Sequence, residues 1–342
     1  MTHRHRRAVL VTMRNEALGL LEWIAYHRAI GFDAVFVATN DCKDGTDTLL
    51  SRIAAADPAV VHIPHAPPPG TSPQEAGCAL ALAHPAMQDV EWVLHIDADE
   101  FLHVSLGDGR IDTLLDAVGP SDAIAITWRM FGSAGHRSWP GGNVLENFLR
   151  TEARLRRARS LQKCLFRPDR FRRVFSHLPK DPIAPDVVLK NTEGRTLPTD
   201  ALFHPTLVRH RTADPRHFTW RHADIHHYAI RSEDLFLMKN DRGDGLSMNT
   251  GKYLRGSSFW QFADANAVED RKILRHMPAT RGILDRYRQD PAVTALEAAA
   301  LTWFTQRRQE VLVNQSRFGW SLGPASTPEQ NPPADASEKA LR

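Results

Sequence analysis

Residues Trp92-Val93-Leu94-His95-Ile96 form an apolar run that ends in Asp97-Ala98-Asp99-Glu100. The length and composition of this run predict a buried strand. Side chains two residues apart in an extended backbone point the same way, so Asp97 and Asp99 can face one space at the strand's carboxyl end, where α/β sheets bind ligands. Two carboxylates there suit Mg²⁺ or Mn²⁺, which would bridge the protein to phosphate groups. An Asp-x-Asp triplet is also common on solvated loops, and its position after an apolar strand favours a functional role.

Strand and helix patterns alternate on the amino-terminal side of this strand. Apolar runs that predict strands occur at residues 8–13, 34–38 and 60–63, and helical patterns separate them. Gly31 is placed to end the first helix, because glycine readily adopts the backbone conformation that follows a helix. Strands that alternate with helices predict an α/β fold with a mainly parallel, Rossmann-like sheet.

The regular alternation is lost after Phe101. Residues 123–128 predict one more strand, and the following sequence up to Asp224 is basic and rich in loop-forming residues. Helical patterns return from Glu233, and residues 292–315 form an amphipathic segment that predicts a C-terminal helical extension. Its apolar face would consist of Leu296, Leu301, Phe304 and Val311.

The end of the sequence differs in composition from the rest. Residues after Leu322 are rich in Pro, Ser, Glu and Ala, with few large apolar side chains to offset the entropy of ordering. The sequence therefore predicts three parts: a domain at residues 1–245, a helical extension at 246–322 and a flexible tail at 323–342.

Composition narrows the class of protein. The chain has 342 residues with 42% hydrophobic content, which suits one large domain with an appendage. Its formal charge of +3 is small and its charges are interspersed, so nucleic acid is not an expected partner.

Three widely spaced cysteines suggest reduced thiols. Because no apolar run has about 18 residues, we expect no transmembrane segment and a cytoplasmic protein, with a peripheral contact at the inner face of the membrane as a further option.

A second group of polar residues follows the first two strands. Their side chains can converge on a base and a ribose, because successive parallel strands open onto the same edge of the sheet. Helix capping by Asn15 or Asp44 is an alternative that is compatible with ligand binding. The group consists of Thr12, Arg14, Asn15 and Glu16 after the first strand, and of Asn40, Asp41 and Asp44 after the second.

Ordered strings of residues over about 8–245 resemble the family 2-type glycosyltransferases related to glycosyltransferase family 92. The strings are Thr12-Met13-Arg14-Asn15-Glu16, Glu22-Trp23, Tyr26-His27-Arg28, Gly31-Phe32-Asp33, Asp41, Asp44-Gly45-Thr46, His95 to Phe101, Trp128 to His136, Lys163, His227 to Ser232, Lys239 and Arg242-Gly243. Many matches in order are more specific than any single one. The resemblance implies a GT-A fold, a nucleotide-sugar donor, most simply a UDP-sugar, dependence on Mn²⁺ or Mg²⁺, and inversion at the anomeric carbon.

The same resemblance implies a metal site. It makes Asp97 a partner of the ribose or the metal, Asp99 the direct metal ligand, and His227 the ligand from late in the sequence. A neutral imidazole is a suitable ligand for Mn²⁺. The neighbouring His226 leaves the choice between the two histidines open, although neighbours on an extended segment face opposite sides.

Four further residues are candidates with ordinary alternatives. Lys239 and Arg242 could neutralise a diphosphate, or belong to a solvated helix face. Gln74 matches a polar position near the nucleotide in such enzymes, or caps a helix. Glu146 is the candidate general base for a glycan, lipid-linked or other hydroxyl acceptor, or a surface glutamate at a helix start.

Two other functions remain open at this stage. A nucleotidyltransferase would also place paired aspartates on a metal beside phosphates. A binding protein that keeps the fold without catalysis is the other alternative. The sequence has no Gly-rich phosphate-binding loop after the first strand, which argues against kinases and Rossmann dehydrogenases.

Overall fold

The apolar runs of the amino-terminal half form parallel strands in the computed structural model, which describes residues 6–156, 160–207, 214–243 and 253–313. The strands are β1 (Arg6–Met13), β2 (Ala34–Thr39), β3 (Val60–Pro64) and β4 (Val90–His95). They lie side by side in the order β3-β2-β1-β4. Alternate residues of β1 enter two apolar clusters: Val9 and Val11 belong to one, Ala8 and Leu10 to the other. Both faces of the sheet are therefore covered, which explains why its strands are apolar without interruption.

Helices connect these strands as the sequence predicts. They are α1 (Ala17–Ala29), α2 (Thr46–Ala56) and α3 (Pro73–Ala83). Gly31 follows α1 with a φ of 107°, a backbone conformation that favours glycine. Ser72 caps α3 by accepting a hydrogen bond from the backbone N–H of Glu75.

The second half of the sheet is mixed. Its strands are β5 (Glu100–Val104), β6 (Ala123–Met130), β8 (Gln162–Phe166), β11 (Leu189–Asn191) and β12 (Ala223–His227), with α4 (Ile111–Val118) between β5 and β6. They continue the order as β4-β8-β6-β12-β5, and β11 also pairs with β6. Strand β8 runs antiparallel to β4 and β6, and β12 runs antiparallel to β5. In this register His227 lies opposite Glu100, which brings the end of β12 beside the Asp97–Asp99 turn.

The basic segment after β6 contains short elements among its loops. They are α5 (Val144–Asn147), β7 (Arg150–Thr151), β9 (Phe171–Val174), β10 (Pro179–Pro182) and α6 (Asp200–Phe203). Strands β9 and β10 pair with each other, and β7 pairs with β13 (Val268–Glu269). The predicted loss of regular α/β alternation is confirmed in this part of the chain.

Four helices make up most of the carboxyl-terminal part: α7 (Glu233–Arg242), α8 (Ser258–Ala263), α9 (Met277–Arg288) and α10 (Pro291–Val313). Helix α10 packs on α1, α2, α7 and α9, which confirms the helical extension. Phe304 and Val311 are buried as predicted, but Leu301 is 46% exposed, so its assignment to the buried face is wrong. The buried stripe instead runs through Val293, Ala300, Phe304 and Val311. Leu301 lies about 100° around the helix from Ala300.

The predicted α/β class, with a mainly parallel sheet and C-terminal helices, is confirmed. Cys42, Cys78 and Cys164 are free thiols, as expected. None of the described helices is long and apolar enough to cross a membrane. The predicted boundary at residue 245 and the predicted tail at 323–342 lie outside the described residues.

Candidate active site

The strand ends surround a cleft of about 460 Å³. Thr12, Arg14 and Glu16 reach it from the end of β1, and the Asp97–Asp99 turn reaches it from the end of β4. Ten of the residues predicted from the sequence line it, namely Thr12, Arg14, Glu16, Asn40, Gln74, Asp97, Asp99, His227, Lys239 and Arg242. The fold thus brings together groups that lie up to 230 residues apart in the sequence.

Asp99 lies at the centre of one wall of this cleft. Its Oδ2 atom is 3.5 Å from Nε2 of His227 and accepts a hydrogen bond from the ammonium group of Lys239. Burial opposes ionisation of Asp99, but Lys239 and His227 outweigh it and hold the pKa of this carboxyl well below its usual range. Two ligands at right angles on one Mg²⁺ or Mn²⁺ are about 3 Å apart, so the Asp99–His227 pair has the chemistry and spacing to hold such an ion.

The two aspartates of the turn have different partners. Oδ1 of Asp97 accepts a hydrogen bond from the Gln74 amide at 2.9 Å, and Oδ2 accepts one from Lys163 at 3.0 Å. Lys163 is fully buried and is also 3.4 Å from Oε2 of Glu100. Glu100 in turn accepts a hydrogen bond from the Asp97 backbone N–H. Asp97 is therefore held in a fixed orientation by groups of the sheet and α3. The Asp99 carboxylate instead lies next to the His227 ring.

Glu16 is neutralised by two guanidinium groups. Arg231 lies 3.3 Å from one of its carboxylate oxygens, and Arg242 contacts the other. Arg242 also donates a hydrogen bond to the backbone carbonyl of Arg14. These contacts join α7 to the end of β1 and hold cationic groups at the edge of the cleft.

Asn15 and Asp44 lie outside the lining of the cleft. Asn15 accepts a hydrogen bond from the backbone N–H of Lys43 at 2.7 Å. Asp44 accepts hydrogen bonds from the backbone N–H groups of Ala17 and Thr46, at 2.9 and 3.0 Å. Both side chains therefore connect the loop after β1 to the loop after β2. Asp44 also accepts a hydrogen bond from an otherwise unpaired N–H group at the start of α1, which is the helix-capping role that the sequence offered as an alternative. Both residues line a small adjacent pocket of about 40 Å³.

The structure also places Glu146 outside the lining of the cleft. Its Oε2 accepts a hydrogen bond from the Asn143 amide at 2.6 Å, and its Oε1 is paired with Arg281. The preceding backbone is held by Glu22, which accepts hydrogen bonds from the N–H groups of Val144 and Leu145. The carboxylate thus points to the helical extension and is already engaged there.

The two neighbouring histidines separate as the extended backbone predicts. His227 lines the cleft, whereas His226 is fully buried against Phe131 and the His103 ring. Within the described ranges, His103, Asp224 and His226 form the group of potential metal ligands whose atoms all lie within 4.8 Å. Asp224 in this group is ion-paired with Arg129 at 2.8 Å, so its charge is already balanced. We interpret the group as a buried polar network behind the active site.

Three residues of the site received no role from the sequence. Trp128 and His177 line the cleft, and the Trp128 ring is 4.3 Å from that of His227. Burial lowers the pKa of His177 to about 3, so its imidazole is neutral near pH 7. Lys163 holds Asp97. The sequence patterns predicted no strand at Gln162–Phe166, so the burial of Lys163, which requires a charged partner, could not be foreseen.

Comparisons with known proteins identify the family of the chain. A glycosyltransferase family 92 protein of Ricinus communis is 28% identical over 146 residues, which are 41% of this chain and 25% of that protein. A family 92 protein of Oryza sativa subsp. japonica is 31% identical over 170 residues, 48% of this chain and 27% of that protein. The matching region thus spans about a quarter of the length of each relative.

Solved structures overlap with part of the chain. S. aureus TarS (residues 1–349) in complex with UDP has a TM-score of 0.27 and 15% identity, over 36% of this chain and 35% of that one. The mostly parallel sheet, the carboxylates at its edge and the C-terminal helices are the GT-A architecture that the resemblance implies. The model of glycosyltransferase family 92 matches residues 11–193, more than half of the 342 residues, and the chain therefore belongs to that family.

Proposed function

We propose that the protein transfers a sugar from a nucleotide-sugar, most simply a UDP-sugar, to a hydroxyl group of a glycan or lipid-linked acceptor, with a divalent cation and with inversion at the anomeric carbon. The observation that carries this proposal is the convergence of Asp99, His227 and Lys239 on one wall of the cleft. Membership of glycosyltransferase family 92 supports the class of reaction.

The cleft divides into groups with different tasks. Asp99 and His227 would hold Mn²⁺ or Mg²⁺, and the bound ion would stabilise the charge of the departing diphosphate. Lys239 and Arg242, on the same face of α7, would contact the diphosphate itself. Asp97, fixed by Gln74 and Lys163, would accept a hydrogen bond from the ribose. Thr12, Arg14 and Asn40 would contact the remainder of the nucleotide from the ends of β1 and β2.

Inversion requires a group that takes the proton of the attacking hydroxyl on the face opposite the diphosphate. The carboxylates among the described cleft residues are Glu16, Asp97 and Asp99, and each is paired with a lysine or an arginine. The base candidate Glu146 would have to exchange Arg281 for the acceptor hydroxyl. His177 is poorly suited, because burial holds its pKa at about 3.

The remaining proposals concern the whole chain. We assign the donor site to residues 1–245 and regard 246–322 as the helical extension, of which helix α10 packs on α1, α2 and α7. A lipid-linked acceptor would place the reaction in the cytoplasm at the inner face of the membrane. The protein would reach it by peripheral contact.

A donor screen tests this function. Purified protein is incubated with a panel of nucleotide-sugars and Mn²⁺, and release of nucleoside diphosphate is measured with and without acceptor glycans. We expect release from one donor, its loss in excess EDTA and its return with added Mn²⁺. Asp99→Ala should lower the rate by about 10²–10³-fold, since a bound ion supplies several kcal/mol to the transition state.

The matched control is Asp116→Ala, an exposed aspartate of α4 outside the cleft, which should keep full activity. Unchanged activity in excess EDTA would refute metal dependence. Formation of a nucleotide-sugar and pyrophosphate from a nucleoside triphosphate and a sugar phosphate, in place of nucleoside diphosphate release, would indicate a nucleotidyltransferase. Retained configuration in the product, measured by NMR, would refute a single displacement.

A further inference from the structure

We propose that Lys239 is an internal cation that competes with the divalent metal for Asp99, and that its transfer to the diphosphate couples metal binding to nucleotide binding. This inference rests on the proposed function and adds an energetic link between the two ligands. In this proposal Lys239 weakens metal binding in the free protein, and it contacts the diphosphate once the nucleotide is bound.

The geometry places Lys239 directly on the predicted metal ligand. Its ammonium group donates hydrogen bonds to Oδ2 of Asp99 and to the backbone carbonyl of Ala229. The side chain is 5% exposed and lines the cleft. An ammonium has three N–H groups, and these contacts use two of them. Within the described part of the chain, the third N–H is left for a ligand in the cleft.

The same oxygen of Asp99 faces His227 at 3.5 Å. A divalent cation held between these two side chains would lie within a few ångströms of the Lys239 ammonium. Like charges at that distance repel strongly in a largely buried site, where water screens them little. The ion can therefore bind well only when Lys239 moves away from Asp99 or gains a new anionic partner.

Another lysine beside the cleft, Lys163, is held more firmly than Lys239. Lys163 is fully buried between two carboxylates, those of Asp97 and Glu100. Among its described contacts, Lys239 has one carboxylate, Asp99, and a neutral carbonyl. Of these two lysines, Lys239 is therefore the one that a ligand can recruit.

A nucleoside diphosphate supplies the missing partner. Arg242 lies three residues after Lys239 on α7 and also lines the cleft, so both cations can face the same phosphates. When the diphosphate takes over the Lys239 ammonium, Asp99 is released for the metal. Each ligand then tightens the binding of the other by the same factor, as linkage requires.

Calorimetric titration of the full chain with Mn²⁺, with and without saturating UDP, tests this coupling. We expect Lys239→Met to bind Mn²⁺ without nucleotide about tenfold more tightly than the wild type, a typical size for coupling between two sites. The same variant should bind UDP more weakly in the absence of metal. The factor by which UDP tightens Mn²⁺ binding should shrink.

Lys272→Met is the matched control. Lys272 is 68% exposed, pairs with Asp270 and does not line the cleft, and its removal changes the net charge by the same amount. Its Mn²⁺ affinity should equal that of the wild type. Melting curves check that both variants fold, and Lys239→Gln replaces Lys239→Met if the latter is unfolded.

The outcomes separate the two proposals. A wild-type protein that binds Mn²⁺ together with UDP, while Lys239→Met binds the metal alone no more tightly than wild type, overturns the role of Lys239 and leaves the proposed function standing. A wild-type protein that binds no Mn²⁺ with or without UDP overturns both. Tighter Mn²⁺ binding in Lys239→Met but not in Lys272→Met supports the inference.

Discussion

The loops after β1 and β2 and the turns at the ends of β4 and β12 carry similar polar side chains, but the fold uses them differently. Asn15 and Asp44, in the first pair of loops, bond to backbone N–H groups of neighbouring segments. Asp99 and His227, in the second pair, face the cleft and each other. Position at a strand end thus does not by itself place a side chain in the cleft.

The difference arises from what lies next to each side chain. The start of α1 leaves N–H groups that need acceptors, and Asp44 is close enough to supply one. The turn after β4 is instead held by Lys163, Glu100 and the Tyr228 N–H, which donates to the Asp99 carbonyl at 2.8 Å. Because the backbone of this turn is satisfied by other groups, the Asp99 carboxylate remains available to the cleft.

The two adjacent histidines of β12 provide the sharpest test of this comparison. His227→Ala should weaken Mn²⁺ binding by at least about tenfold. Removing a residue that only hydrogen-bonds to a metal ligand already lowers metal affinity by about that factor, and His227 would be a ligand itself. His226→Ala should leave the Mn²⁺ affinity unchanged but lower the melting temperature, because it leaves a cavity where a buried side chain was packed. Calorimetry and thermal melting distinguish the effects, and equal losses of Mn²⁺ affinity would show that the assignment of the two rings is wrong.

A smaller effect is expected from the capping region. Asp44→Ala removes hydrogen bonds to Ala17 and Thr46 and should lower the free energy of unfolding by about 2 kcal/mol. Mn²⁺ and UDP affinities should stay at wild-type values. The control is Asp47→Ala, a residue of the first turn of α2 that does not contact α1 in this way. A loss of UDP affinity in Asp44→Ala without loss of stability would move Asp44 from the structural group to the donor site.

The smallest effect concerns Glu146. If Glu146 were the general base, changing it to glutamine would lower the transfer rate by about 10²-fold. Because Glu146 is paired with Arg281 outside the cleft, we expect Glu146→Gln to change the rate by less than about twofold, as for a surface substitution. Arg281→Gln is the control, since it breaks the same pair and leaves the carboxylate. A 10²-fold loss in Glu146→Gln alone would establish the carboxylate as the base and require the pair to open during turnover.

Much of the candidate site could be predicted because its residues follow strands. Apolar runs reveal strands through their periodicity, and parallel strands open onto one edge, so Thr12, Asn40, Asp97 and Asp99 could be predicted to lie together at that edge, where they line the cleft. Lys163 and Trp128 were missed as site residues. They lie inside strands β8 and β6, where the sequence does not say which face of the sheet borders the cleft.

The sequence by itself determined the α/β class, the parallel amino-terminal half of the sheet and the presence of carboxylates at its edge, because these depend on local periodicity and strand order. Only the tertiary structure decided which polar groups meet. The antiparallel pairing of β12 with β5 places His227 beside Asp99, and the packing of α7 delivers Lys239 to the same carboxylate. Such contacts join residues more than 100 positions apart, and their geometry depends on strand register and helix packing, which local sequence patterns do not encode.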